Sequence, residues 1–310
     1  MFTVKVPATS ANMGPAFDTA GIALQLYNRV EVCTAEEKQF DGAFHIESVN
    51  NIDLRVEAGQ KIPTDQSNLI YTTICWFAAL KGKSVPPIWL RQTDEIPLAR
   101  GLGSSAACIV AGLLIANELL QTACPTDELL RLAVSLEGHP DNVAPAFLGQ
   151  MVVGASDSSR FEYVKIPVSE KLEFISLIPD FPLSTSDARD VLPRAYTKEQ
   201  AVFNCSRVAL MVASMMSGNF DALSVAMQDE IHQPYRKILI PGMEYLIKKS
   251  VDLGCYGGYL SGAGPTVMLV APRGSGISSE IRGVASELKN YWLVNEIAID
   301  QNGATVEYSK

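Results

Sequence analysis

The chain has few histidines, no paired-cysteine motif and no basic stretch, and each shortage removes a class of function. Its three histidines stand at 45, 139 and 232, and no two have the i, i+4 spacing that aims two imidazoles at one metal. The six cysteines, at 33, 75, 108, 124, 205 and 255, never fall as CxxC. Several sit inside apolar patterns, where a reduced thiol behaves as a small hydrophobe, so neither a zinc site nor a disulfide framework is indicated. A catalytic metal is therefore expected to be bound through oxygen. Charged residues make up 19% of the chain and acids outnumber bases 34 to 25, a net charge of −9. With no basic cluster to offset that balance, a nucleic-acid groove is excluded, and an anionic ligand needs locally placed donors. The longest apolar run, Ala106 to Ala116, is too short to span a bilayer. The opening "MFTVKVPATSANMG" lacks the basic start and apolar core of a signal peptide, so a cytoplasmic location is expected.

What is present is apolar bulk: 47% of 310 residues are hydrophobic, enough for a sizeable core and more naturally two domains than one. No repeat appears. Strand-like runs ("TVKVP", "ALQLYNRVEVCTA", "FHIESV", "PIWLRQT") mix with helical patterns, which predicts an α+β fold. A helix capped by Ser67 is expected to run to about Leu80, a second from Ser104 or Ser105 to about Gln121, and a third capped by Thr126 with Asp127 and Glu128 in its first turn. The polar "SDSSR" near residue 158 marks a domain boundary or a hairpin tip, giving units 1–157 and 158–310. The second unit reads as two strands, helices at about 198–217, 220–228 and 242–253, a strand pair around "SGAGPTVMLVA", a helix near 279–291 and a final strand.

"PLARGLGSSAACIVAG", residues 97–112, places Gly101 and Gly103 just before a helix start. Glycines permit positive φ and close backbone approach, and a helix start offers unpaired amides at the positive end of its dipole. Those are the parts of a phosphate cradle. A P-loop fits poorly because no lysine follows the glycines. A dinucleotide fingerprint fits poorly because "TDEIPLAR" separates the strand from Gly101 and Pro97 interrupts it. Taken alone, the loop reads equally as a helix start packed closely on a neighbour.

Three further polar, glycine- or proline-punctuated stretches accompany it: "PATSANMGPAFD" (7–18), "LEGHPDNVAPA" (136–146) and "LSGAGPTVMLV" (260–270). In this order the set resembles the GHMP kinases, small-molecule kinases with a PxxxGLGSS nucleotide loop. "STSDAR" and "HQPYR" narrow the resemblance to the branch of that superfamily whose acceptor is the amino acid L-homoserine, and the likeness covers nearly the whole chain. Met13 and Ala16 stand where that pattern has Leu and Gly, and Gln150 follows Gly149 where a second glycine is common.

The resemblance implies two α/β domains, an N-terminal half like ribosomal S5 domain 2 and a C-terminal ferredoxin-like half, with ATP between them. It assigns ATP to Pro97, Leu98, Ala99, Arg100, Gly101, Leu102, Gly103, Ser104, Ser105, Ala106 and Ala107, the amides of Gly101 to Ala107 cradling the phosphates, and resembles an adenine-contacting position at Asn68. It implies magnesium on a hydroxyl of Ser104 or Ser105 with the carboxylate of Glu137, an oxygen set suited to a hard cation. For the acceptor it implies Arg189 and Arg236 on the carboxylate, and Asp18 helped by Asn12 on the ammonium or hydroxyl end. His139, Asp141, Asn142, Thr185 and Gly262 line the same pocket. Glu137, Asp141, Asn142 and Ser105 are the residues expected at the chemistry, with Asp141 the candidate for the acceptor proton. A homodimer is the family expectation. Read alone, Glu137 is a solvated acid near a helix end, each arginine a surface charge, and "SGAGPT" a hairpin connection.

Overall fold

Two long amphipathic strands organise the first sheet. β1 (Phe2–Ala11) and β2 (Ala20–Thr34) pair antiparallel, with a register shift at Pro7/Ala8. Their alternating Val4, Val6, Val30 and Val32 are fully buried, as period-two patterning on a one-sided sheet requires. β3 (Phe44–Asn50) and β4 (Ile88–Asp94) extend the sheet beyond β2 and pair parallel with each other. The structure is a computed structural model and describes residues 1–53, 61–157 and 160–308.

Four helices cover this sheet: α1 (Leu69–Leu80), α2 (Ser104–Leu119), α3 (Thr126–Glu137) and α4 (Pro140–Leu148). α2 is apolar on nearly every side, with ten of its sixteen residues buried, which marks a central helix. α1 packs so closely on it that a Cβ at Gly112 would lie 2.6 Å from Thr73 Cβ.

β5 (Met151–Ser156) and β6 (Phe161–Ile166) form a hairpin that joins the same sheet through β2. Asp157 and Arg160 close this hairpin, Asp157 N donating to Arg160 O (2.9 Å), with Ser158 and Ser159 of the expected boundary segment outside the described residues, and the chain leaves the first sheet only after Ile166. It also comes back: β11 (Thr305–Tyr308) pairs antiparallel with β1. The seven strands run β11-β1-β2-β4-β3, with β5 and β6 attached at β2.

The second sheet is β7 (Leu172–Pro179), β8 (Gly257–Leu260), β9 (Val267–Pro272) and β10 (Trp292–Ile297), in the order β10-β7-β9-β8, antiparallel throughout. Between β7 and β8 come α5 (Thr185–Asp190), α6 (Lys198–Ser217), α7 (Leu223–Ala226), α8 (Gln233–Arg236) and α9 (Met243–Asp252); α10 (Ile277–Ser286) links β9 to β10. This is the β-α-β-β-α-β order of a ferredoxin-like unit, elaborated in its first crossover.

Local details depart from the sequence-based expectation at several ends. α1 is capped by Asn68, whose Oδ1 accepts the amides of Ile70 and Tyr71, while Ser67 bonds back to Asp65. α3 starts at Thr126 with Pro125 as N-cap. α10 stops at Ser286 because the residues beyond it lead into β10, and the single final strand is two strands in different sheets. α4 and α8, each opening with a proline in its first turn, have no counterpart among the expected helices.

Candidate active site

Glycine geometry builds the floor of the site. Gly101 and Gly103 lie in the left-handed region, at φ 69° and 71°. A Cβ would sit 2.3 Å from the Ser261 carbonyl oxygen at the first and 2.0 Å from Thr9 Oγ1 at the second. The loop is pressed between β1 and the β8–β9 turn: Ser261 Oγ donates to Gly101 O (2.6 Å), and Thr9 N to Leu102 O (3.1 Å). The loop is close-packed and also opens α2 with no side chain capping its amides. The first-turn N–H groups of Ser104, Ser105 and Ala106 are left at the positive helix end. Ala107 is not one of them, because its amide donates to Gly103 O at 2.9 Å; the expected cradle is one residue too long.

Arg100 also departs from expectation. Its side chain is fully buried and donates from Nε to Pro179 O (3.0 Å) and from Nη1 to Leu98 O (3.2 Å). Its charge ties the loop to the end of β7.

Over this floor lies a cavity of about 150 Å³. It gathers Asn12, Asp18, Glu137, His139, Asp141, Asn142, Thr185, Arg189, Arg236 and Gly262 beside Pro97, Ala99 and the loop from Arg100 to Ser105. Leu98 and Asn68 instead line an adjoining cavity of about 270 Å³ with Ile62, Pro63 and Cys108, which shares Ala99, Ser104 and Ser105. The polar atoms of Asn68 are already used: besides its capping oxygen, Nδ2 donates to Pro63 O (2.8 Å) and Gln92 Oε1 (3.3 Å). Ala106 and Ala107 are buried in the core and border neither cavity. Beneath the adjoining cavity, Gln92 Nε2 donates to Asp94 Oδ2 (2.9 Å), and burial pushes the Asp94 carboxyl up to about 6.

The acidic wall comes from the junction of α3 and α4. Glu137 ends α3, where Gly138 turns the chain at φ 91°. Burial raises its pKa, with His139 opposing, and among the described residues no cation of the chain lies in ion-pair range of it. His139 Nδ1 is 2.5 Å from Asp141 Oδ1. Burial alone would lower the histidine's pKa, but the bond and charge of Asp141 hold it above the ordinary value. Asp141 is itself raised by burial, against the pull of His139. Asn142 Oδ1 accepts from Thr9 Oγ1 at 2.8 Å, which fixes it beneath Gly103.

The opposite wall is the turn after β1. Asn12 accepts the Asp18 amide (3.0 Å) and donates to Gly262 O (2.8 Å), so its side chain positions Asp18. Arg189, in α5, pairs with Asp18 at 3.2 Å. Arg236, at the end of α8, is nearly inaccessible. Burial, with Arg189 adding to it, pushes its pKa down to about 10, so it stays charged at neutral pH.

The GHMP kinases N terminal domain matches residues 68–150, and the GHMP kinases C terminal domain matches 211–290. A homoserine kinase of Synechocystis sp. is 42% identical over 98% of both chains, and one of Clostridium beijerinckii is 42% identical over 99% of this chain and 98% of its own. The chain belongs to the homoserine kinases. In the same family, the crystal structure of homoserine kinase from Cytophaga hutchinsonii superposes with a TM-score of 0.83 at 28% identity, covering 98% of this chain and 96% of that one. Membership in this kinase family makes ATP the co-substrate.

Two residues of this homoserine kinase site were missed by sequence reasoning. Phe17 lies within 5.8 Å of the Arg189 guanidinium and 5.3 Å of Arg236, and its ring stacks on His232 at 5.3 Å. The signal for His232 was present, because it stands four residues before Arg236, one helical turn away, at the N-cap of α8. The departures at Met13, Ala16 and Gln150 are accommodated. The first two are buried, and Gln150, at φ 62°, compensates by accepting the Val168 amide at 2.8 Å. No helix of the described chain is long and apolar enough to cross a membrane.

Proposed function

We propose that this chain transfers the γ-phosphoryl group of ATP to the side-chain hydroxyl of L-homoserine, giving O-phospho-L-homoserine and ADP on the route to threonine. The observation that carries the reading is the convergence on one small cavity of an uncapped helix start, two arginines and Asp18. The helix start suits a polyphosphate. A zwitterionic amino acid needs its carboxylate and ammonium both matched where water is excluded, and two guanidinium groups and one carboxylate meet that need.

The amides of Ser104 and Ser105 would hold the phosphates, Arg189 and Arg236 the acceptor carboxylate, and Asp18 its ammonium. The reaction then forms one O–P bond at the homoserine oxygen and breaks the bond to the ADP oxygen, with the hydroxyl proton released. Its loose transition state requires positioning and charge stabilisation more than nucleophile activation, so no dedicated base is invoked. His139 and Asp141 orient the pocket.

The residues also fit magnesium. Ser104, Ser105 and Glu137 offer hard oxygens to one cavity, and Glu137 is a half-buried acid with no cation in ion-pair range among the described residues. Those three would hold the ion, which when bound supplies neutralisation of the phosphate charge. Asp18, His139 and Asp141 also bring ligand atoms within 4.8 Å of one another, but the Arg189 and His139 bonds already engage them.

A coupled ADP-release assay with homoserine, threonine, serine and mevalonate tests the reading. Turnover should be fastest with homoserine. Turnover of mevalonate without homoserine, or ATP binding with no acceptor turned over, would overturn it.

A further inference from the structure

Arg236 is gripped by an imidazole in a way that fixes the state of the ring. Arg236 Nη1 lies 3.2 Å from His232 Nδ1. A guanidinium only donates, so Nδ1 holds a lone pair there. His232 Nε2 lies 2.7 Å from the Gly14 carbonyl oxygen, which only accepts, so Nε2 carries the hydrogen. Both neighbours together select one neutral tautomer. The ring is fully buried and stacked on Phe17.

The remaining hydrogens of Arg236 can be assigned in turn. Nε donates to Ala188 O (2.9 Å), and the second hydrogen of Nη1 to Gly262 O (3.0 Å). Nη2, with two N–H groups, has no partner among the described residues, and Arg236 borders the cavity. An arginine held at Nε and Nη1 presents a preset Nη2 to an anion.

We propose that His232 is a positioning residue for the acceptor: its Nδ1 lone pair sets the rotation of the Arg236 guanidinium that leaves Nη2 for the homoserine carboxylate, and protonation of the ring releases that hold. This rests on the reading that Arg236 binds the carboxylate. A protonated ring has no lone pair to accept from Arg236 and places a second cation beside it. The charged groups facing the ring are Asp229, 3.6 Å from Nε2, Arg236 from α8, and Asp18 from the turn after β1. Asp229 also accepts the amides of Ile231, His232 and Gln233, so the segment carrying the imidazole is itself fixed. Burial holds the ring's pKa below the ordinary histidine value, with Arg236 helping and the two acids opposing.

The test measures KM for homoserine and for ATP from pH 5 to 8 in the wild type, His232→Ala, His232→Gln and Arg236→Met. In the wild type, KM for homoserine is expected to be flat near neutrality and to rise below about pH 6.5, the ordinary histidine value. His232→Ala should raise it about 10-fold at neutral pH, the size of one hydrogen bond to a charged group. Glutamine offers a carbonyl to Arg236 and an amide N–H to Gly14, so His232→Gln should recover most of that loss and show a smaller acid-side rise. KM for ATP should move little in either. A glutamine variant as impaired as the alanine one, an acid-side rise unchanged in it, or equal shifts in both KM values would overturn the proposal. Arg236→Met separates the two layers. An unchanged homoserine KM there removes the reading of Arg236 itself, whereas a raised one beside a normal His232→Ala removes only the role of His232.

Discussion

Arg189 Nη2 lies 3.2 Å from Asp18 Oδ1 and Nη1 lies 3.4 Å from Oδ2, joining residues 171 positions apart. The pair is partly exposed, with side-chain exposures of 40% and 33%, and pairs of that kind contribute about 0–1 kcal/mol to stability. In the proposed complex its value would be in recognition, because a bound amino acid would exchange this internal pair for two external ones. Arg189→Leu is expected to raise KM for homoserine by about 10- to 100-fold, the loss of charge-assisted bonds, with KM for ATP and the melting temperature little changed. Steady-state kinetics with each substrate varied, beside a thermal melt, checks this; equal effects on both substrates count against the role.

Glu137→Ala should abolish most magnesium-dependent turnover, by about 100-fold or more in kcat for loss of several kcal/mol of transition-state stabilisation, and leave the fold intact. Asp141→Asn should cost much less, since an amide oxygen can still accept from His139 Nδ1. Magnesium titrations of both variants decide the point. Near-normal kinetics for Glu137→Ala refute its assignment, and a collapse of the Asp141 variant to the same level revives Asp141 as proton acceptor.

Gly103→Ala puts a methyl group 2.0 Å from Thr9 Oγ1 in a left-handed backbone that itself costs an L-residue about 1–2 kcal/mol. A total destabilisation of about 2–4 kcal/mol is expected, together with a raised KM for ATP as the loop shifts. A melt and an ATP saturation curve that both match the wild type would show that the loop has slack the packing does not reveal.

Asp94 predicts a pH dependence of stability. Its carboxyl titrates at about 6 in the fold against an ordinary 3.8. Between those values the native state binds more protons than the unfolded chain, so the Asp94 contribution to stability is fullest below about pH 3.8, falls as pH rises, and levels off above about 6. The loss is up to about 3 kcal/mol by the standard conversion. Asp94 Oδ1 and the Oδ1 of Asn28, its register partner on β2, are both buried without a donor. Asp94→Asn supplies an N–H group at the same place and should remove this component and stabilise the protein at neutral pH. Urea titrations of the two proteins from pH 4 to 7 measure the difference, which should widen as pH rises; a constant difference would count against a neutral Asp94.

Much of this architecture was legible because periodicity and glycine punctuation are local signals. The α2 start, the long strands and the β8–β9 turn all announce themselves within a dozen residues. Long-range facts were not legible. Nothing near Thr305 says that the strand there pairs with Phe2 rather than with its own neighbours. Nor does anything near Arg100 say that its charge will be enclosed by the carbonyls of Leu98 and Pro179. Asn68 lines the adjoining cavity, yet its Oδ1 caps the helix behind it and its Nδ2 is held by Pro63 and Gln92, none of which lies close enough in the local pattern to be read from it. His232 and Phe17 escaped notice because their roles lie in what they touch, a guanidinium and each other, across the junction of two sheets.

The return of β11 to the flank of β1 has a consequence for synthesis. At the usual elongation rate of about 5–20 residues per second, roughly 15–60 s separate the emergence of the first strand from that of its outer partner. Throughout that interval β1 stands as the border of its sheet, with its outward peptide groups open to any passing extended chain. A nascent chain of this design therefore keeps that border bare until residues 305–308 have emerged, and a message cut short before Thr305 would yield a chain with both cavities encoded but no strand to cover it.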